Sequence, residues 1–135
     1  MSDLFAPEGG WRVRILDLSA APEADDRVVE EIAGFFTLMQ ANAFARRYVR
    51  DSLERCRAPG MNAKQVMEAW LAWGEDAEVA DAAEAGWHSA TEIGDFADHP
   101  AGEEERDWRA LDPRRIDADD EDDDAPEGSR ADEAP

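Results

Sequence analysis

From Leu38 onward the small and apolar residues return at every third or fourth position: Leu38, Ala41, Phe44, Ala45, Tyr48, Val49, Ser52, Leu53 and Cys56. That spacing lines them up along one stripe of a long amphipathic helix of about residues 38 to 57, and the stripe has to be covered. Thr37 followed by Gln40 has capping-box spacing at its start, and "APG" ends it. Asn62 with Gln65 repeats the cap and opens a second helix carrying Val66, Met67, Trp70, Leu71 and Trp73, with Gly74 as its stop. Ser89 with Glu92 is a third such spacing. It leads a short helix with Ile93, Phe96 and Ala97 inside and Pro100 just beyond.

The segments around these helices supply the other layer. In "WRVRILDL" Trp11, Val13 and Ile15 alternate with Arg12 and Arg14, the period of two that suits a half-buried strand. Ser19 to Asp26, with Pro22, breaks the chain. "RVVEEIAGFF" fits two patterns: Val28, Ile32, Phe35 and Phe36 make a helical stripe, while Val29, Glu31, Ala33 and Phe35 alternate. Gly34 before two aromatics and the β-branched content favour a second strand over residues 28–35. "EDAEVADAAEAGW" is open between a short strand around Val79 and further helix. The predicted fold class is α+β: a small antiparallel sheet of two or three strands packed against two or three helices.

Four of the five tryptophans and all five phenylalanines lie in the first hundred residues. Each aromatic can bury roughly 150–250 Å², enough together for one compact core, so residues 1–100 are expected to form a single domain. Residues 101–135 differ, holding fifteen acids and five arginines, with little apolar content beyond Trp108, Leu111 and Ile116. Residues 101–116 read as a charged linker or short helix, and 117–135 as a disordered acidic tail. No run reaches the length of a membrane-spanning helix, and the first residues lack the pattern of a signal peptide. Cys56 is the single cysteine, so no internal disulfide framework is expected. The reading is a cytoplasmic protein of bacterial type. Thirteen arginines against one lysine, Lys64, follow the bias of a GC-rich coding sequence and are not by themselves a sign of phosphate binding.

The succession "WRVRILDL", "FFTLMQANAFARRYVRDSLERCRAPGMNAKQVMEAWLAWGEDAEV" and "WHSATEIGDFA" resembles a group of small uncharacterised bacterial proteins. In that group a strand pair leads into a helix, a "PGM" turn, a second helix ending in a "GED"-like turn, and a short final helix after a serine. The resemblance covers roughly residues 11 to 97 and implies a strand over residues 28–35. Its motifs are turn and cap residues, which specify shape and carry no activity across. The acidic tail is an addition to the pattern.

"DADDEDDD" places seven carboxylates in eight positions: Asp117, Asp119, Asp120, Glu121, Asp122, Asp123 and Asp124. An EF-hand loop needs a turn glycine at its sixth position and a bidentate glutamate at its twelfth. Counted from Asp117 those positions hold Asp122 and Gly128, so no preformed calcium site is expected. The run is read first as a solubilising tail and second as a device that attracts a basic partner, fast and salt-sensitively. The long helix shows Arg46, Arg47, Arg50, Arg55 and Arg57 on its polar side. They are expected to be a solvated face with Arg47–Asp51 or Arg50–Glu54 pairs, or to receive the acidic tail. An acidic domain repels nucleic acid, so none is expected as a partner.

Catalytic groups are scarce. His88 and His99 lack the spacing of a metal pair, and one cysteine cannot complete a zinc site. Ser52 and Cys56 fall on the inner stripe, where a hydroxyl bonded to backbone and a small buried hydrophobe are the ordinary readings. No glycine-rich phosphate loop follows a strand. The chain is therefore expected to be non-catalytic and to need no metal or cofactor. In "WLAWGEDAE" Trp70 and Trp73 both cap the core, or one stays exposed and forms a partner surface with Glu75 and Asp76. In "EEERDWRALDPRRI" Trp108, Leu111 and Ile116 punctuate charge, as in a motif that folds on a partner, unless Trp108 packs on its own domain. The function expected is an accessory or regulatory interaction module that binds an unknown protein, a basic one among the candidates, and no membrane. The rival is an acidic inhibitor or nucleic-acid mimic.

Overall fold

The computed structural model describes residues 9–114. Trp11–Asp17 (β1) is the central strand of a three-stranded sheet, with Val28–Phe35 (β2) and Glu75–Val79 (β3) antiparallel on either side. Leu38–Cys56 (α1) and Ala63–Trp73 (α2) follow β2, and Ile93–Asp98 (α3) comes after β3. The protein is a small α+β fold. Trp11, Val13 and Ile15 face the helices and are buried, as are Ala41, Phe44, Ala45, Tyr48, Val49, Ser52 and Leu53 of α1. Each such Val, Leu or Ile, once covered, stabilises by about 1.5–3 kcal/mol. The opposite face of the sheet is wet: there Arg14 lies 3.2 Å from Glu31 on β2 and 3.6 Å from Glu78 on β3. No helix among the described residues is long and apolar enough to cross a membrane.

The ambiguity of residues 28–36 has a structural cause. Trp11 pairs with Phe35 and Val13 with Ile32, so Ala33 and Gly34 together stand opposite Arg12. This β-bulge, with Gly34 at φ +96°, displaces the alternation by one residue. Ile32 and Phe35 consequently share the buried face although they are three apart, while Phe36 is left exposed. The sequence "EDAEVADAAEAGW" resolves into β3 followed by a 3-10 turn at Ala83–Ala85.

Two of the three predicted caps form. Thr37 accepts from the Gln40 amide at 3.0 Å, and Asn62 and Gln65 complete a reciprocal capping box. The third does not. Ser89 donates its hydroxyl to Asp76 Oδ2 at 3.1 Å, and Glu92 accepts two bonds from Arg46 and one from the Trp87 indole. Both side chains found stronger partners outside the turn, so a 3-10 turn at Ser89–Thr91 precedes α3 without a side-chain cap.

Residues 101–114, expected as a linker or short helix, run as 3-10 turns at Glu104–Arg106 and Trp108–Leu111 packed on α1. Trp108 lies 5.0 Å from the Tyr48 ring and 5.7 Å, edge-on, from Phe44, and its indole donates to Asp51 at 3.2 Å. Arg47 and Arg50 of α1 hold this belt, while Arg46 turns to Glu92 and Arg55 stays exposed, so the polar side of the helix is a solvated face only in part. Arg50 is buried, stacks 4.5 Å over Phe96, and donates to the His99 carbonyl and to Glu105. Arg47 donates to the Asp107 carbonyl, and Arg57 to the Phe96 and Ala97 carbonyls. The pairs expected within the helix are replaced accordingly: Asp51 meets Arg106 and Arg55, and Glu54 meets Arg57. Arg114 ends the belt against Glu30 of β2. Ile116, the run Asp117 to Asp124 and the proposed tail lie outside the described residues.

Candidate functional site

One residue, Gly74, separates α2 from β3, and this abrupt turn creates the site. The Gly74 amide donates to the Trp70 carbonyl at 2.7 Å, and the Leu18 amide to the Gly74 carbonyl at 3.0 Å. The Ser52 hydroxyl accepts from the Glu75 amide at 2.9 Å. The turn is thus tied to α2, β1 and α1 together. Ser52 is bonded to backbone as expected, although to a strand and not to its own helix.

The two tryptophans of α2 separate cleanly. Trp70 is buried at 2% exposure and donates its indole N–H to the Glu75 carbonyl at 3.2 Å. Trp73, about 300° further round a helix of 100° per residue, is 76% exposed. It stands at the rim of an open cleft of about 650 Å³. Met61, Ala69 and Cys56 give the cleft apolar walls; Asp17, Arg55 and Glu75 give it charge.

Asp17 and Glu75 are direct cross-strand partners in the β1–β3 ladder. Their side chains therefore leave the sheet on the same face, the one that α1 covers. Asp17 Oδ1 accepts from both the amide and the hydroxyl of Ser19, at 2.9 and 2.6 Å. Those bonds hold its carboxyl below the usual aspartate range. Glu75 Oε1 accepts from the Tyr48 hydroxyl at 2.7 Å and lies 3.7 Å from Arg55. Burial first, then the Glu75 bond, pushes the Tyr48 phenol well above its ordinary value, so it stays a neutral donor. Burial likewise raises the Cys56 thiol, which favours its protonated form.

Of the residues singled out in the sequence, Trp73 and Glu75 meet at this cleft. Asp76 does not: the pleat sends it to the opposite face, where it bonds Ser89. Trp70 is in the core. Trp108 and Leu111 are partly buried against the core; Trp108 is joined to the cleft through the Tyr48 ring, whose hydroxyl bonds Glu75, and through the chain Asp51–Arg55–Glu75. Asp17 and Met61 were not singled out, and Arg55 only as one of the helix's polar-side arginines, because they come from β1, the loop after α1 and α1 itself, and no spacing in the sequence links them. Tyr48 carried a weak signal, a lone phenol on a buried stripe that had to find an acceptor.

The polar groups that line the cleft are the Asp17 and Glu75 carboxylates, the Arg55 guanidinium and the Ser52 hydroxyl. Ser52 is committed to a backbone amide, and neither histidine lies in the cleft. His88 and His99 are exposed, each set against a carbonyl of its own segment. Among the described residues no three His, Cys, Asp or Glu side chains are grouped to hold a metal ion. No family model matches the chain, and no curated protein or solved structure is significantly similar to it.

Proposed function

We propose that this chain is a non-catalytic protein-interaction module whose contact surface is the cleft beside Trp73. The observation that carries this reading is a tryptophan 76% exposed at the rim of a cleft walled by Met61, Ala69 and Cys56. An indole in water beside a partly apolar hollow gains from being covered, and tryptophan is enriched among residues that dominate interface energetics. The test is capture from the native cell at moderate salt with the full chain and with Trp73→Ser as baits. A protein held by the parent and lost with Trp73→Ser supports the reading. The same proteins held equally by both variants would remove it.

A second reading has its own observation. Every arginine within residues 9–114 already engages a partner in the fold, down to Arg27 on the Ala20 carbonyl and Arg109 over Trp108. Residues 9–114 hold twenty-two acids against twelve bases and the whole chain a net −20, so the molecule presents an excess of carboxylates while these arginines are engaged within the fold. An inhibitor or nucleic-acid mimic acting through that charge would lose its partner steeply as salt rises, whereas a contact centred on Trp73 survives.

A further inference from the structure

We infer that the Trp73 cleft takes a basic linear segment of a partner protein, with an arginine or lysine side chain laid over the indole and its cationic head between Asp17 and Glu75. The inference rests on reading this cleft as an interaction surface and adds the chemistry of the occupant.

Three features converge on a cation. The first is the pairing of Asp17 with Glu75 directly across two strands. Like charges at such positions repel, and a cation placed between them relieves the repulsion. The second is how the two carboxylates are used. Each commits one oxygen to the fold, Asp17 Oδ1 to Ser19 and Glu75 Oε1 to Tyr48 and Arg55. Asp17 Oδ2 and Glu75 Oε2 have no hydrogen bond among the described residues. The fold has fixed both groups in position while leaving an acceptor on each. The third is the exposed indole, whose face attracts a cation and tolerates the alkyl stem that carries it.

Two cations of the fold act on these carboxylates without filling this role: Arg27, which acts on Asp17 while donating to the Ala20 carbonyl, and, in the cleft wall itself, Arg55. Arg55 lies 3.5 Å from Asp51 as well as 3.7 Å from Glu75, so its charge is shared with a carboxylate behind the cleft. The other occupants fit worse. Acidic segments and nucleic acid meet Asp17 and Glu75 with the wrong sign and a chain of −20. A second copy brings the same net charge, and its described arginines are already engaged. Met61 and Ala69 suit an apolar residue neighbouring the cation, which describes a short segment mixing leucine-like and arginine-like side chains.

The experiment is an amide-shift titration of the full-length protein at about 0.15 M salt. The probe is a capped hexapeptide alternating leucine and arginine, compared with the same peptide carrying neutral citrulline for arginine. Saturable shifts are expected at the Trp73 indole N–H and at the amides of Leu18, Gly74 and Glu75. The citrulline peptide should bind roughly five- to tenfold more weakly. Trp73→Ser and Asp17→Asn should each weaken the arginine peptide by a similar factor, with the rest of the spectrum unchanged. Equal binding of both peptides at the cleft overturns the cation while leaving the interaction surface standing. Shifts confined to residues 117–124, or no shift with either peptide, overturn the inference as well. The capture experiment with Trp73→Ser then judges the surface on its own.

Discussion

Gly74 stands between α2 and β3 with φ −87°, a value open to any residue, so it is space and not backbone conformation that demands glycine. A Cβ there would collide with the Trp70 indole and lie 2.8 Å from the Trp70 carbonyl oxygen. Gly74→Ala is expected to lose about 1–3 kcal/mol in urea denaturation, the range for overpacking a close contact. Two carboxylates should show opposite pH behaviour. Burial is the first cause that raises the Asp76 carboxyl above its ordinary range, outweighing the bonds from Ala77 and Ser89. With the folded pKa above the unfolded one, the stabilisation belongs to the protonated form: it is full below the unfolded pKa and gone once pH rises through the folded one. Asp76→Asn should therefore raise the thermal midpoint at pH 7 and give no gain near about pH 3. The bidentate bond from Arg46 is the first cause that lowers Glu92. Its stabilisation is present above the unfolded pKa and lost as pH falls through the folded one. Glu92→Gln should lose about 1 kcal/mol at pH 7, a modest figure because the Arg46 side chain is 41% exposed, and nothing in acid.

At the scale of elements, the belt of residues 101–114 is held by Trp108 and by arginines reaching over from α1. Trp108→Ala should destabilise by about 3 kcal/mol, near the lower end for a large aromatic because Trp108 is only half-buried. Fluorescence offers an independent check. Trp108→Phe should remove a blue-shifted component from the emission spectrum, and Trp73→Phe a solvent-like one. α1 was legible in the sequence because a core-facing helix keeps its period for nineteen residues, and the burial of Ala41 to Leu53 follows it. β2 was half-legible because the bulge at Gly34 inserts one residue and lets a strand imitate the spacing of a helix. The belt was not legible, since Trp108 and Leu111 are too few to show a period. The arginine pairs were misassigned for a related reason. An i,i+4 rule compares partners within one helix, but chain reversal brought Asp107, Glu105 and Arg106 to α1 and changed which partner was nearest. At the site, Trp73 and Glu75 adjoin in sequence and could be flagged. Asp17 reaches them only through the strand ladder.

For the whole molecule, the buried core is drawn from Trp11 to Ala97, and the belt of residues 101–114 packs against it through Trp108 and Leu111. A chain ended after residue 100 loses Trp108, Leu111 and Arg106, and leaves Asp51 with Arg55 alone and Arg47 without the Asp107 carbonyl. It should lose several kcal/mol or fail to unfold cooperatively, against a typical total of roughly 5–15 kcal/mol. A chain ended after residue 116 keeps all those contacts. What it sheds is charge: residues 117–135 hold ten acids and one arginine, beside a region 9–114 with twenty-two acids and twelve bases. Like-signed charge on one small molecule opposes compaction, and the effect is long-ranged only while salt is dilute, with a screening length of about 30 Å at 0.01 M and 3 Å at 1 M. The 1–116 chain should therefore be the more stable of the two at about 0.01 M salt in urea denaturation. The difference should vanish as salt approaches about 1 M, with the full-length protein gaining more from added salt. A 1–116 chain less stable than the full length at every salt concentration would mean that the acidic run contributes contacts of its own to the fold.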